Sequence, residues 1–211
     1  MTIQSWKSDQ AKAVFAGQNP GKGFPADLIS STRRRLQRLD AATSVEDLRV
    51  PPSHRLHPLQ GDRAGQWSIS VNDQFRITFK WGAAGPEEVL AQAQSQPLEL
   101  RGSEDEDMTT HDYTAFETPL AHPGEHLRED FLPEYGLTAG SLAKAMGLKD
   151  RTRIERLVRE AQPVTPDTAL RLGRVFGTSP DFWMTLQNQH DLSKAAIAAR
   201  DELSTIALLR A

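Results

Sequence analysis

The chain has 211 residues and no cysteine, so it has room for one large or two small domains and excludes disulfides, thiol chemistry and any cysteine-built zinc or iron–sulfur site. A hydrophobic share of 38% against 25% charged residues fits two small charged units, and no apolar run reaches the roughly 20 residues of a membrane helix, so a cytosolic protein without membrane contact is expected. The net charge of −3 hides an asymmetry, because residues 1–86 hold 12 Lys+Arg against 7 Asp+Glu, residues 87–107 hold one against 7, and residues 108–211 hold 12 against 14.

In chain order, residues 8–16 read as a short helix with Ala11, Val14 and Phe15 on one side and Gly17 as its stop. Pro25 starts a second helix to about Ala42, with Leu28, Ile29, Thr32, Leu36 and Leu39 inward at spacings of three and four. Arg33, Arg34, Arg35 and Arg38 fall on the remaining surface, where a solvated face is favoured over a binding site. Leu48-Arg-Val-Pro-Pro52 reads as an extended run and His54-Arg-Leu-His-Pro-Leu59 as a strand, followed by a turn over Gln60–Gly65. Trp67, Ile69 and Val71 then alternate with Ser68 and Ser70, and Phe75, Ile77, Phe79 and Trp81 with Arg76, Thr78 and Lys80. Two period-2 runs around Asn72-Asp73 predict a hairpin with positive φ in its turn, one face apolar and the other an open hydroxyl-rich, cationic face. Such a face suits phosphate contacts, and an ordinary solvated face is its plainer reading. Val89 and Leu90 belong to a last strand.

Residues 91–107 have linker composition and end in the acidic run Glu104-Asp-Glu-Asp107, which could shield a basic unit or simply solubilise. Met108-Thr-Thr-His-Asp reads like a protein start in mid-chain. Beyond it everything reads as helix. His122-Pro-Gly-Glu opens a helix that buries Leu127, Phe131 and Leu132 and stops at Gly136; Thr138 caps Ala139–Met146 with Gly147 as its C′ residue. A helix near Arg151–Glu160 turns Ile154, Leu157 and Val158 inward. Thr165-Pro166-Asp167 and Ser179-Pro180-Asp181 each place a cap, an N1 proline and an acid in order. A last amphipathic helix is expected to hold Ala195, Ile197, Leu203, Ile206 and Leu209.

Two short helices joined through Gly147, the second displaying Arg151, Thr152, Arg153, Arg156 and Arg159, form a helix-turn-helix pattern that favours DNA over a plain charged bundle face. Leu137-Thr-Ala-Gly-Ser-Leu-Ala-Lys-Ala-Met-Gly147 and Val164-Thr-Pro-Asp-Thr-Ala-Leu-Arg through Phe182-Trp-Met-Thr-Leu-Gln187 resemble HigA-type antitoxins of the XRE helix-turn-helix class over about residues 120–192. The turn Lys149-Asp-Arg-Thr is longer than usual for that class. Asp47-Leu-Arg-Val-Pro-Pro52, Arg55-Leu-His-Pro-Leu, Gly61-Asp-Arg-Ala-Gly and Trp67–Phe79 resemble the partner toxin, HigB, of RelE-like fold, over about residues 3–82.

The resemblance implies an α+β RelE-like domain over 1–90 (two helices and a small antiparallel sheet), a linker over 91–107 and an all-α helix-turn-helix domain over 108–211. It also implies a metal-independent, cofactor-free endoribonuclease that cuts ribosome-bound mRNA. Arg63 and Arg76 match the family's basic residues and suit phosphate stabilisation, and His57 matches a histidine able to shuttle protons. Taken alone, His57 reads almost equally well as a structural sheet-edge histidine. The implied DNA-reading residues are Arg151, Thr152, Arg153 and Arg156; the implied partners are operator DNA, a second copy through the C-terminal domain, and an intramolecular toxin–antitoxin contact. One departure stands out. The family's acid-Tyr-His ending is replaced here by Val89-Leu-Ala-Gln-Ala-Gln-Ser-Gln, which leaves toxin activity open and keeps a DNA-binding autorepressor with an inert first domain as the alternative.

Overall fold

The computed structural model describes residues 2–93 and 112–207. The expected acidic run, the Met108 start and Leu209 lie outside these described residues.

The N-terminal part begins with α1 (Asp9–Ala16), capped by Ser8, whose Oγ accepts from the Ala11 N–H, and closed by Gly17 at φ +75°. After a single 3-10 turn comes α2 (Ile29–Ala41). Four strands follow, β1 (His57–Pro58), β2 (Gln66–Ser70), β3 (Phe75–Trp81) and β4 (Pro86–Ala93), in sheet order β1-β2-β3-β4, every pairing antiparallel. Both helices cover one face, where Val14, Phe15, Leu36 and Leu39 meet Ile69, Ile77, Phe79 and Val89. Residues 4–7 edge the sheet, with the Lys7 N–H donating to the Val89 carbonyl at 2.9 Å and the Val89 N–H to that of Ser5 at 3.0 Å.

Several expectations for this part are corrected. The segment read as an extended run and a strand is mostly two 3-10 turns, Val45–Arg49 and Pro52–His54, and only His57 and Pro58 pair as strand. Prolines remove the donors a strand would need and favour these tight turns. The hairpin forms, but neither Asn72 nor Asp73 has a positive φ. The loop is held instead by the Asn72 Oδ1, which accepts from the Gln74 N–H at 2.9 Å and the Phe75 N–H at 2.7 Å, a side-chain turn that needs no left-handed residue. The polar face is not fully open either: Ser68, Ser70 and Thr78 are buried.

Among residues 112–207 every element is helical. A helix starts as α3 (Pro123–His126), passes through a π-helical segment (Leu127–Phe131) and ends as α4 (Leu132–Glu134). It is followed by α5 (Ala139–Ala145), α6 (Thr152–Val158), α7 (Pro166–Phe176), α8 (Pro180–Ala198) and α9 (Arg200–Ser204). Thr138, Thr165 and Ser179 accept N-cap hydrogen bonds, and Gly136, Gly147 and Gly177 take positive φ at helix ends. Trp183 centres the core, its ring 5.0 Å from that of Phe131 and its Nε1 donating to the Thr178 Oγ1 at 2.8 Å. The expected last helix is divided: Ala195 and Ile197 continue α8, Leu203 sits in the short α9 and Ile206 follows it, and both Leu203 and Ile206 are exposed among the described residues.

The two parts share their cores. Phe116 and Leu120 are buried in the N-terminal core, the Phe116 ring edge-on to Phe15 at 5.5 Å, and Ile197 packs on the same cluster. In return Ala41 is buried in the C-terminal core, against which Val50 also packs. No helix among the described residues is long and apolar enough to cross a membrane.

Candidate functional sites

Antiparallel pairing decides what stands on the free face of the sheet. His57 lies opposite Ser68, Ser68 opposite Thr78, and Arg76 opposite both Ser70 and Gln92. A 3-10 turn, Gly61–Arg63, returns Arg63 over this face. The result is a cleft of about 250 Å³ lined by His57, Leu59, Arg63, Ser68, Arg76, Thr78 and Gln92. The three candidate catalytic residues, from three separate stretches of sequence, thus line one cavity. The Arg76 Nη1 donates to the Ser68 Oγ at 3.4 Å, and its buried Nε has no partner. Two guanidinium groups and two hydroxyls around one cleft suit a phosphate group, whose oxygens accept from all four.

The sequence places Ser68 and Thr78 on a hydroxyl-rich face suited to phosphate, but they and Gln92 are absent from the expected catalytic residues. The signal for Ser68 and Thr78 was present, since both alternate with core positions on the strands that carry Arg76 and face His57. No tyrosine and no carboxylate lines the cleft among the described residues.

A second constellation lies on the opposite side of α2, and it overturns the solvated-face reading of its arginines. Arg34 donates from Nε to the Asp130 Oδ2 at 2.9 Å and from Nη1 to the Glu125 Oε1 at 3.1 Å. Arg38 is fully buried, with Nη2 at 3.3 Å from the same Asp130 oxygen, an ionic contact without hydrogen-bond alignment, and its guanidinium carbon 5.7 Å from the centroid of the Phe131 ring. Burial lowers Arg38 to about 10 against the pull of Asp130. Burial also pushes the Asp130 carboxyl up, but Arg38 and Arg34 more than reverse this and hold it well below the usual carboxylate range. Arg33 donates to the Phe15 carbonyl and to both oxygens of Thr118, while Arg35 donates to the Ser70 and Ser31 carbonyls.

Around this centre several other polar groups are paired, while the His54 Nε2, His126 Nδ1 and Gln189 Oε1 are buried without a partner. Gln37 exchanges two hydrogen bonds of 3.0 Å with the backbone of Ala121. Asp40 accepts from the Ile3 N–H at 2.6 Å and from the Gln189 Nε2 at 2.5 Å. Asp47 accepts from both the N–H and the Oγ of Ser179, the residue that caps α8, at 2.7 and 2.9 Å. His54 and His126, both buried, are held neutral well below the ordinary imidazole range, first by burial and then by the charge of Arg38. None of these C-terminal partners lines the cleft.

The third constellation is the α5–turn–α6 pair. Arg151 and Arg156 are exposed; Arg151 pairs with Glu155 one turn on at 3.0 Å, and Arg156 has no side-chain partner among the described residues. Thr152 donates from N–H and Oγ1 to the Asp150 Oδ1 at 2.8 and 2.7 Å, which fixes the start of α6. Arg153 is different. Its Nη1 donates to the Asp167 Oδ2 at 2.6 Å and its Nη2 to the Thr165 Oγ1 at 3.0 Å, so it ties α6 to the start of α7. Arg151, Thr152 and Arg156 share the outer side of α6, and Arg153 is drawn away from them.

Comparison with known proteins finds the family of RelE-like HigB toxins of type II toxin–antitoxin systems matched over residues 4–91. The endoribonuclease HigB of Proteus vulgaris is 39% identical over 79 residues, 37% of this chain and 84% of that protein. Virulence-associated protein I of Dichelobacter nodosus is 47% identical over 79 residues, 37% of this chain and 72% of that protein. Antitoxin HigA-1 of Vibrio cholerae is 35% identical over 69 residues, 33% of this chain and 64% of that protein.

Proposed function

The chain belongs to the HigB toxin family and carries a HigA-like antitoxin on the same polypeptide, and from that premise we propose a self-neutralised ribonuclease that also represses transcription. The observation that carries this reading is that His57, Arg63 and Arg76 line one cleft, while the C-terminal part docks on the far side of α2. In the proposed reaction the 2′-oxygen of a ribosome-bound mRNA bonds to phosphorus, its proton passes to His57, the P–O5′ bond breaks, and the 5′-oxygen takes a proton from water. Arg63 and Arg76 hold the added negative charge of the phosphorane. Neutralisation works without filling the cleft: the C-terminal part buries the arginine face of α2 and adds its own bulk to a domain that must enter a ribosome. Repression is assigned to α6, with Arg151, Thr152 and Arg156 at an operator and a homodimer formed through the C-terminal part over two half-sites. Because β4 runs to Ala93, the expected linker start at residue 91 is three residues early, and the domain limits that belong to this reading are 1–93, 94–107 and 108–211.

A second reading, a DNA-binding autorepressor with an inert first domain, is favoured by one observation. On β4 the cleft meets Gln92, and among the described residues no tyrosine or acid stands with it to protonate the leaving oxygen. The two separate in a translating extract. Residues 1–107, first shown by circular dichroism to keep their sheet, are added with and without residues 108–211. Cleavage that disappears in R76A and is suppressed by the second fragment supports the nuclease. A folded fragment that leaves mRNA intact, beside a full chain that protects an inverted repeat upstream of its own gene, supports the repressor alone.

A further inference from the structure

The 3-10 turn Pro52–His54 ends at Arg55, which has φ 44° and ψ 44°, one of three non-glycine residues with positive φ among the described residues. A side-chain-bearing residue in this left-handed region is strained and persists only where its surroundings hold it. The conformation is held from two sides: the Arg55 N–H donates to the Pro52 carbonyl at 2.9 Å, and its Nη1 meets the Asp73 Oδ1, in the β2–β3 loop, at 3.0 Å. Its effect falls on His57. The left-handed turn brings the Arg55 carbonyl to 2.7 Å from the His57 Nδ1. A carbonyl oxygen only accepts, so in the neutral ring the proton sits on Nδ1 and the lone pair on Nε2.

His57 lines the cleft and Arg55 does not, so the bonded edge of the ring is the one turned to the loop. Of the other lining residues, Leu59, Ser68, Thr78 and Gln92 carry no basic group, and the guanidinium groups of Arg63 and Arg76 are donors without an acceptor. We propose that Arg55 is a positioning residue that locks His57 in its Nδ1–H form, making His57 Nε2 the atom that takes up the 2′-hydroxyl proton as the 2′-oxygen bonds to phosphorus. The proton acceptor rests on the nuclease reading above; the tautomer does not, and the test separates them.

The full chain, labelled with ¹⁵N and held at a pH where the ring is neutral, is examined by two-bond ¹H–¹⁵N correlation, with the His57 signals assigned by their loss in H57Q. The expected spectrum has a pyrrole-like Nδ1 and a pyridine-like Nε2. R55G, which takes positive φ freely, keeps that pattern, and R55V, whose β-branched side chain does not tolerate it, loses it. A wild-type ring carrying its proton on Nε2, or an R55V ring unchanged from wild type, overturns the positioning role whatever the protein does to RNA. Should R55V fail to fold, the wild-type and R55G spectra still decide. If instead the tautomer is as expected and the full chain, cut near Arg101 and freed of its C-terminal fragment with its sheet kept by circular dichroism, cleaves mRNA equally well with H57Q, the lock stands and the assignment of Nε2 as proton acceptor is overturned.

Discussion

Asp130→Asn tests the buried charge centre most directly. The substitution keeps the shape of the side chain and an oxygen for Arg34, but leaves Arg38 with no opposite charge in contact at 0% exposure. At the observed 3.3 Å, a pair of unit charges in a medium of effective dielectric about 20 attracts by roughly 5 kcal/mol. Removing one partner of a buried pair leaves the other uncompensated and typically costs about 3–5 kcal/mol. The expected loss therefore lies in that range, a large part of the roughly 5–15 kcal/mol that holds a protein folded. Urea unfolding followed by tryptophan fluorescence reads it. Replacing both partners, in D130N/R38M, should recover most of the loss, because the cost lies in the stranded cation more than in the missing pair. Removing the exposed pair of Arg49 and Glu46 by E46Q should leave the midpoint where it was. A loss under about 1 kcal/mol in D130N would refute the reasoning and place Arg38 in contact with water.

Acid should weaken the junction through His54 and His126. Their folded pKa lies well below the unfolded value of about 6.5, so the stability they contribute is present above that value and declines by about 1.4 kcal/mol per pH unit for each as pH falls below it, or about 2 kcal/mol each by pH 5. Asp130 adds to the slope only below about pH 4, where its unfolded form takes a proton; a flat urea midpoint between pH 7.5 and 5, or an unchanged slope in H54N/H126N, would contradict this. On DNA, R156A should weaken operator binding without changing the melting temperature, whereas R153A should lower the melting temperature by loosening α6 from α7; equal losses of binding from two equally stable variants would make Arg153 a reader after all. Proteolytic cleavage near Arg101 should leave two fragments that co-elute on a sizing column at micromolar concentration, and their separation would end the proposal of intramolecular neutralisation.

What was legible in the sequence is what short-range chemistry determines. Thr138, Thr165-Pro166 and Ser179-Pro180 mark helix starts because a cap needs only the next three residues, and Trp67 to Trp81 reads as a hairpin because alternation is local. The arginines of α2 were misread for the opposite reason. A charged helix face has the same sequence whether it meets water or carboxylates about 90 residues away, and only the fold brings Asp130 and Glu125 there. His57, Arg63 and Arg76 could be listed from resemblance, but their meeting depends on the β1–β2–β3 register and on the turn that returns Arg63. Arg153 was grouped with Arg151 and Arg156 by helical position, and Asp167, fourteen residues on, draws it away. Leu203 and Ile206 have the spacing of a buried stripe, but spacing cannot supply a surface to bury against.

The shared cores have a consequence for how the protein is made. Translation delivers the N-terminal part first, at a pace of roughly 5–20 residues per second, yet Phe116, Leu120 and Ile197 complete its hydrophobic interior from the far side of residues 94–111. A nascent chain that has exposed only its sheet and first helices is still short of these side chains and of Tyr113, which packs on the same interior. Synthesis of the missing pieces is also synthesis of the restraint, because Glu125 and Asp130 emerge between Leu120 and Ile197. The order of residues along one polypeptide thus leaves no stage at which the cleft-bearing part is finished and its antidote has yet to be made.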